Sequence, residues 1–152
     1  MSKPPAFTDT MQIGIVVHDL DATVRRYEED YGIGPWTFWD VNPEEGRALR
    51  QYGEVIERRT RCATIKIGHV WWELIQPLDS ESVHAKFLAE KGEGVHHIAV
   101  QTPNYDAVVA MHAPTDLPLQ GNLMNVDVSY LPTENTLGVM LEVFNGEPPE
   151  AD

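Results

Sequence analysis

The sequence predicts an α+β fold built from two copies of one βαβββ module. The first observation is an internal repeat: segments 12–27 and 97–112 each join a β-branched strand, a turn and a helix that begins with Asp-Ala. The two starts, Gln12 and His97, lie 85 residues apart, which suits a small supersecondary unit and is too long for a solenoid repeat. The second observation is that strand and helix patterns follow in the same order after each start.

The first module, 10–78, begins with a strand over 11–17, indicated by its β-branched residues. Asp19 or Asp21 can cap a helix that runs to about residue 31 and ends at the glycines around Pro35. A strand over 36–41, a turn or lid over 42–46 and a hairpin of strands 61–67 and 70–76 follow. The helix has apolar residues at helical spacing that predict its buried face: Leu20, Val24, Tyr27 and Tyr31.

A helix over 82–91 is predicted to link the modules, because Val83, Phe87 and Leu88 give it an apolar face and Gly92 suits its C-terminal cap. The second module, 94–146, repeats the order of the first. It has a strand over 95–101, a helix near 105–112 and two or three further strands, the last over 139–144. We expect one domain, 8–146, with flexible termini at 1–7 and 147–152.

Charge and cysteine content limit the compartment and the partners. The formal net charge is −13, with 24 acidic against 11 basic residues, which disfavours binding to nucleic-acid phosphates. Cys62 is the single cysteine, so no internal disulfide can form and a reducing compartment fits best. No run approaches the roughly 20 apolar residues of a membrane span, and residues 1–10 lack the apolar core of a secretion signal. We expect a cytoplasmic protein without nucleic-acid or membrane partners.

Two carboxylates interrupt strongly apolar strands of the repeat. Glu73 lies in Trp-Trp-Glu-Leu-Ile and Glu142 in Met-Leu-Glu-Val-Phe. A buried carboxylate is costly unless it is paired, hydrogen-bonded or bound to a metal, so two at corresponding strands require a shared explanation. Taken singly, each is also compatible with a surface or edge position. His97 is compatible with a core histidine, with its neighbour His96 on the opposite face of the strand.

The pattern resembles the vicinal-oxygen-chelate superfamily of glyoxalases, bleomycin-resistance proteins and dioxygenases, over about residues 10 to 146. The resemblance implies a paired-cup, glyoxalase-like sheet with helices outside, and a metal ligand on the first and last strand of each module. Those positions are Gln12, Glu73, His97 and Glu142. One imidazole, one amide and two carboxylates suit one divalent ion, such as Co²⁺, Ni²⁺, Mn²⁺, Zn²⁺ or Mg²⁺. Iron-dependent ring cleavage fits poorly, because Gln12 replaces a histidine of those dioxygenases.

Within the superfamily, segments 73–82, 85–88 and 92–100 resemble the methylmalonyl-CoA epimerase family most closely. That resemblance implies proton transfer next to a thioester, with Glu142 or Glu73 as the catalytic base. It also implies a further acid from the loop before a Pro-x-x-Gly turn, which corresponds here to segment 40–46, where the candidates are Asp40, Glu44 and Glu45. The chain departs from the family at Gln12, where histidine is usual, and in segments 32–39 and 47–60.

Zinc-type glyoxalase I has a similar set of ligands but is a poorer match. It holds glutathione with an arginine and an asparagine four residues after its first and second ligands. Val16 and Pro77 occupy those places in this chain. A glutathione hemithioacetal is therefore not the expected substrate.

We expect a metal-dependent isomerase, epimerase or lyase that chelates vicinal oxygens of a small organic substrate and moves a proton at the adjacent carbon. The alternative is a non-catalytic binding protein for an aromatic or drug-like molecule, of the bleomycin-resistance type. The resemblance also implies a homodimer. Aromatic residues near the cup, including Trp36, favour an apolar substrate, and the predicted substrate-binding residues are Trp71, Trp39, Gln101, Met140 and Phe144.

Overall fold

The computed structural model describes residues 7–46, 49–123 and 125–146. Of the predicted flexible termini, 1–7 and 147–152, all residues except Phe7 lie outside these ranges. The described residues form one sheet of ten strands. The strands are β1 (Asp9–Val16), β2 (Thr37–Val41), β3 (Leu49–Gln51), β4 (Glu54–Val55), β5 (Thr60–Ile67), β6 (Val70–Pro77), β7 (Gly94–Gln101), β8 (Leu119–Leu123), β9 (Val126–Leu131) and β10 (Met140–Asn145). The helices are α1 (Leu20–Tyr31), α2 (Pro43–Gly46), α3 (Val83–Lys91), α4 (Tyr105–Val109), α5 (Glu134–Leu137) and a 3-10 turn at Pro114–Asp116.

The order of the strands reproduces the internal repeat. The sheet runs β2-β5-β6-β1-β7-β10-β9-β8-β3-β4. The first half of the chain thus reads β1-β6-β5-β2 outward from the centre, and the second half reads β7-β10-β9-β8. The two first strands, β1 and β7, pair antiparallel at the centre, and each is parallel to the last strand of its own half. This curled, two-part sheet confirms the predicted α+β, glyoxalase-like fold.

Helix α1 covers one face of the first half. The Asp19 carboxylate accepts a hydrogen bond from Ala22 N at 3.0 Å, which satisfies an otherwise free amide of the first turn. The helix ends at Gly32, whose φ of 65° is the left-handed conformation that glycine adopts readily. Leu20 and Val24 are buried beneath the helix, as predicted. Tyr31 is 76% exposed, so its assignment to the buried face is wrong: it is the last helical residue, beyond the edge of the core.

The core beneath α1 includes one residue that the sequence suggested for the cup. Trp36 packs with Leu20, Leu74 and Ala63, and its indole Nε1 donates to Ile33 O at 2.8 Å. Trp36 is therefore a core residue of the α1 side.

Helix α3 links the halves, and the Ser82 hydroxyl caps it by accepting a hydrogen bond from Ala85 N at 3.1 Å. Helix α4 is shorter than predicted, ending at Val109 instead of near residue 112. Ala113 precedes Pro114 and adopts an extended conformation with ψ of 144°, as expected before proline. In the described ranges the longest α-helix, α1, has 12 residues, and none has the length and apolarity needed to cross a bilayer.

Strands β3 and β4 belong to the first half of the chain but lie at the outer edge of the second half of the sheet, next to β8. Leu49 and Arg50 of β3 pair with Gly121 and Gln120 of β8. Tyr52 N donates to Leu117 O at 2.8 Å, which fixes the turn between β3 and β4. From β4 the chain must return to β5, near the opposite edge of the sheet, and this return segment, residues 56–59, delivers Arg58 to the cup. No prediction from the sequence covered these two strands or the crossing.

Candidate functional site

Four polar side chains from consecutive strands meet at the middle of the sheet. His97 Nε2 lies 3.1 Å from Gln12 Oε1. The same nitrogen lies 3.6 Å from Glu73 Oε1 and 3.9 Å from Glu142 Oε1. The four residues belong to β6, β1, β7 and β10, which are neighbours in the sheet. The structure therefore brings together all four of the residues predicted as metal ligands.

Gly14 makes room for the central imidazole. Gly14 is paired with His97 across β1 and β7, and with Glu73 across β1 and β6. A Cβ atom on Gly14 would lie 2.1 Å from His97 Cε1 and 2.4 Å from His97 Nε2. No carbon atom can approach a ring that closely, so the ring fills the space that any other residue would need at position 14.

A break in the strand register explains a second histidine near the site. Gly14 pairs with His97, whereas Ile15 pairs with Val95, so His96 is the extra residue of a bulge. The His96 and His97 Nδ1 atoms lie 3.1 Å apart. The expectation that His96 points away from His97 is therefore wrong at the rings, because the bulge interrupts the regular alternation of the strand.

Burial dominates the electrostatics of the four residues. Burial raises the pKa of Glu73 to about 7, and Arg58 acts to lower it. Burial, followed by the charge of Glu73, raises the pKa of Glu142 well above its usual range. Burial also lowers the pKa of His97 well below its usual range, with smaller contributions from His96 and Arg58. The imidazole is thus neutral, which is the state that binds a metal.

The donor set fits a divalent cation. Two carboxylates, one neutral imidazole and one amide oxygen together carry a charge of −2 when the acids are ionised. Among the described residues, no Lys or Arg side chain lies within 4.0 Å of either carboxylate. A bound M²⁺ would supply the missing charge and hold both acids in their ionised form.

Tyr130 and His84 lie behind the His97 ring, and sequence reasoning missed both. The Tyr130 hydroxyl is 3.3 Å from His97 Nδ1 and 2.8 Å from His84 Nε2. If His97 Nε2 binds a metal, the ring proton is on Nδ1, so Nδ1–H would donate to the Tyr130 hydroxyl, which could in turn donate to His84 Nε2. Such a chain fixes the orientation and tautomer of a metal-binding imidazole. The signal available in the sequence was weak: a tyrosine on a strand beside the last strand, and a histidine inside an otherwise apolar helix face.

The three buried histidines form a second group of potential ligands. Donor atoms of His84, His96 and His97 all lie within 4.8 Å of one another. These imidazoles carry no negative charge, and the Tyr130 hydroxyl already occupies His84 Nε2. The carboxylate-containing set around His97 Nε2 is therefore the better match to a divalent ion.

A cavity of about 90 Å³ opens beside the four residues. Trp39, Trp71 and Phe144, three of the predicted substrate-binding residues, line it. The other two, Gln101 and Met140, do not line it, so their assignment is corrected. Gln101 ends β7 beside Asp9, four residues and roughly 13 Å along the strand from His97. Met140 is buried in the core with Ala99 and Leu119.

Two of the three predicted loop acids, Asp40 and Glu44, do not lie at the cavity. Asp40 on β2 and Glu44 in α2 are exposed, and neither lines the cavity. The Glu44 amide donates to Asn42 Oδ1 at 3.1 Å, as in a local turn. The side chain of Glu45 lies outside the described residues. Of the acidic side chains that the structure describes, Glu73 and Glu142 line the cavity.

Arg58 is the most consequential residue that the sequence analysis did not identify. Its side chain lines the cavity and is only 4% exposed. In a strand, every second side chain lies on the same face. Extending this alternation from β5 towards the N-terminus places Arg58 on the same buried face as Thr60, Cys62 and Thr64 and could have identified it.

Comparisons with known proteins agree with this architecture. The family profile described as the Glyoxalase/Bleomycin resistance protein/Dioxygenase superfamily matches residues 11–122. A structure of the methylmalonyl-CoA epimerase of Streptomyces coelicolor, a variant in complex with 2-nitronate-propionyl-CoA, is 32% identical, with a TM-score of 0.64. That alignment covers 91% of this chain and 96% of the epimerase.

Two further relatives have lower sequence identity or a shorter aligned segment. The methylmalonyl-CoA epimerase of Mycobacterium tuberculosis is 22% identical, covers 97% of this chain and 94% of its own, and has a TM-score of 0.67, which supports the fold alone. An uncharacterized protein of Bacillus subtilis (YqjC) is 41% identical over 54 residues, which span 36% of this chain and 39% of that protein. The chain thus matches well under half the length of this relative.

Proposed function

Since the chain belongs to the Glyoxalase/Bleomycin resistance protein/Dioxygenase superfamily, we propose that it is a metal-dependent isomerase or epimerase that moves a proton next to a carbonyl or thioester. The observation that carries this proposal is the convergence of two buried carboxylates and Gln12 on His97 Nε2. The similarity to the Streptomyces coelicolor epimerase, which was solved with 2-nitronate-propionyl-CoA, supports the reaction type.

Gln12 Oε1, Glu73, His97 Nε2 and Glu142 would hold the metal. When bound, the ion would polarise a substrate carbonyl oxygen and make the adjacent C–H more acidic. Gln12 and His97 would be neutral ligands, so they would not compete for the substrate proton. The hydrophobic walls of the cavity exclude water from the reacting carbon.

Glu142 and Glu73 are the proposed bases. Burial raises the pKa of both carboxyls in the metal-free chain. A bound metal would lower these pKa values again, so the base would act as an ionised carboxylate, and the other acid would have to gain a proton before it could donate one. The two acids come from β10 and β6, on opposite sides of the β1–β7 pair. If one acid, ionised, removed the proton from carbon and the other, protonated, delivered its own proton to the opposite face, the configuration of the carbon between them would be inverted.

Metal binding is the first test of this proposal. Protein stripped with chelator is titrated with Co²⁺, Ni²⁺, Mn²⁺, Zn²⁺ and Mg²⁺ in a calorimeter, and we expect one equivalent of at least one ion to bind. His97→Ala is expected to abolish binding, and His69→Ala, at an exposed turn, is the matched control. A folded wild-type protein that binds none of the five ions would contradict the proposal.

Proton transfer is the second test. Methylmalonyl-CoA and short 2-oxo acids are incubated with the metal-loaded protein in D₂O, and deuterium incorporation is followed by NMR. Exchange at the carbon next to the carbonyl is expected, and Glu142→Gln should slow it by about 100-fold or more, as for loss of a general base. A metal-loaded protein that exchanges none of the probes, with no dependence on Glu142, would contradict the proposed reaction.

The aromatic wall of the cavity supports a second candidate, a non-catalytic binding protein for an aromatic molecule. Trp39, Trp71 and Phe144 would contact such a ligand. This candidate predicts binding of an aromatic ligand without metal, and equal affinity for wild type and Glu142→Gln.

A further inference from the structure

Arg58 lies at the cavity in an unusual state for a buried guanidinium. It is 4% exposed and lines the same cavity as Gln12, Glu73 and Glu142. Arginine is almost never buried this deeply unless its charge is paired. An anionic partner is therefore expected close to the Arg58 guanidinium.

No described residue supplies that partner. Arg58 Nε is buried without a hydrogen-bond acceptor. Among the side chains that the structure describes, which do not include that of Glu45, no carboxylate lies within 4.0 Å of this guanidinium and no group accepts a hydrogen bond from it. Arg61 provides the contrast, since its guanidinium lies 2.7 Å from the Asp21 carboxylate. Arg58 is thus a buried cation that lines the cavity and has no anion of the described residues within ion-pair distance.

The net charge of the site also favours an anionic ligand. Ionised Glu73 and Glu142 contribute −2, which a divalent metal would neutralise, and Arg58 then leaves the cavity with a charge of +1. A buried unit charge is costly unless an anion accompanies it. Apart from Gln12 and Thr64, the remainder of the wall is aromatic or aliphatic, with Trp39, Trp71 and Phe144 among its residues. A ligand that satisfies both features is an anion with an apolar body.

We propose that Arg58 is the receptor for a carboxylate of the substrate, separate from the oxygens held at the metal position. The substrate class is then an organic acid with an aromatic or aliphatic body. The assignment rests on the proposed function for the reaction type and for the net charge of +1, whereas the burial of Arg58 Nε without a hydrogen-bond partner does not depend on it. A guanidinium suits this role because it donates two parallel hydrogen bonds to a carboxylate.

Phenylacetate and its neutral amide, phenylacetamide, are the probes that test the inference. Each is titrated into the wild-type protein at pH 7.5, with and without Zn²⁺, in a calorimeter. We expect the carboxylate to bind at least about tenfold more tightly than the amide, as for a charge-assisted bidentate pair. Equal binding of the two probes by the wild type would overturn the inference.

Variants then test whether Arg58 causes the preference for phenylacetate over phenylacetamide. Arg58→Gln is expected to remove it, Arg58→Lys to retain part of it, and Arg59→Gln, at the exposed neighbouring position, to leave it unchanged. Near-ultraviolet circular dichroism checks that each variant is folded. If Arg58→Gln does not fold, the folded Arg58→Lys protein must show a smaller preference than wild type. A folded Arg58→Gln protein that keeps the full preference would exclude Arg58 as the receptor.

Metal titration of the same proteins separates this inference from the proposed function. Arg58→Gln is expected to bind metal as wild type does, because Arg58 is not among the ligands. A wild-type protein that binds metal but does not prefer phenylacetate contradicts the Arg58 assignment alone. One that prefers phenylacetate through Arg58 but binds no metal contradicts the proposed function alone.

Discussion

The imidazole of His97 lies against the bare Cα of Gly14, in the space where a side chain on the neighbouring strand would begin. The two residues are paired across β1 and β7, the strands that join the halves of the sheet. The position of the central ring of the site therefore depends on the absence of a side chain one strand away. This relationship leads to the first prediction.

Gly14→Ala is expected to displace the His97 ring and to destabilise the protein by about 1–3 kcal/mol, the usual range for overpacking a filled interior. Metal binding should be lost or strongly weakened at the same time. Urea unfolding measures the first effect and calorimetric titration the second. The control is the same change in a His97→Ala background, where the ring is missing. If Gly14→Ala costs as much there as in the wild type, the proposed clash is not its cause.

Tyr130→Phe is expected to weaken metal binding by about 10–100-fold, as is typical when the group that orients a metal-binding histidine is removed. It should also cost about 1–3 kcal/mol of stability, because His84 Nε2 would lose its 2.8 Å partner in a buried position. Calorimetry and urea unfolding measure the two effects. Tyr105→Phe removes a hydroxyl from another buried tyrosine and is the matched control. Unchanged metal affinity in Tyr130→Phe would show that the hydroxyl does not position His97.

Glu73→Gln is expected to change how stability depends on pH when metal is removed by chelator. Burial raises the pKa of Glu73 to about 7 in the folded chain, against about 4.3 for an unfolded glutamate. The folded state therefore binds more protons between these values, and the stability contributed by the protonated acid is lost as pH rises through 7. Glutamine does not titrate, so the variant should gain stability relative to wild type from pH 4.5 to pH 8.

Urea unfolding at pH 5, 6, 7 and 8 measures this difference. Glu54→Gln reports the effect of removing an exposed carboxylate from β4 and serves as the control. A constant difference between Glu73→Gln and wild type across the series would show that Glu73 is not titrating in this window.

Leu74→Ala is expected to destabilise the protein by about 2–5 kcal/mol without reducing metal affinity. Leu74 follows Glu73 on β6, is fully buried, and packs under α1 with Leu20 and Trp36. Its side chain is therefore on the face of the sheet away from the cavity, and the cost is that of a buried cavity. Unfolding and metal titration of the folded variant measure the two effects. Leu137→Ala, at an exposed position, is the control. A metal affinity that falls with Leu74→Ala would show that the two faces are coupled.

The sequence was sufficient to predict features that repeat or alternate. The strand alternation around Glu73 and Glu142, and the repeat that equates Gln12 with His97, depend on local periodicity, and the four side chains do meet. The N-terminal cap of α1 at Asp19 is also a local signal, which the structure confirms.

What the sequence could not predict depends on long-range pairing or on irregular backbone. Strand β3 has three residues and pairs with β8, about 70 positions later in the chain, so no periodic pattern indicates it. Arg58 reaches the cavity only because the chain returns from that pairing. The bulge at His96 likewise has no signature in the sequence, and it places both histidine rings together.

The duplicated fold places equivalent positions around the cavity but fills them with different chemistry. Gln12 and His97 correspond in the repeat, yet one is an amide and the other an imidazole, and Arg58 enters from the first half of the chain. A two-fold symmetric cavity would hold an unsymmetrical molecule in two orientations of equal free energy. Here those orientations are unequal, so a prochiral carbon would present one face to Glu142 and the other to Glu73. Stereochemical preference would then reside in a few side chains, while the backbone around them stays close to symmetric.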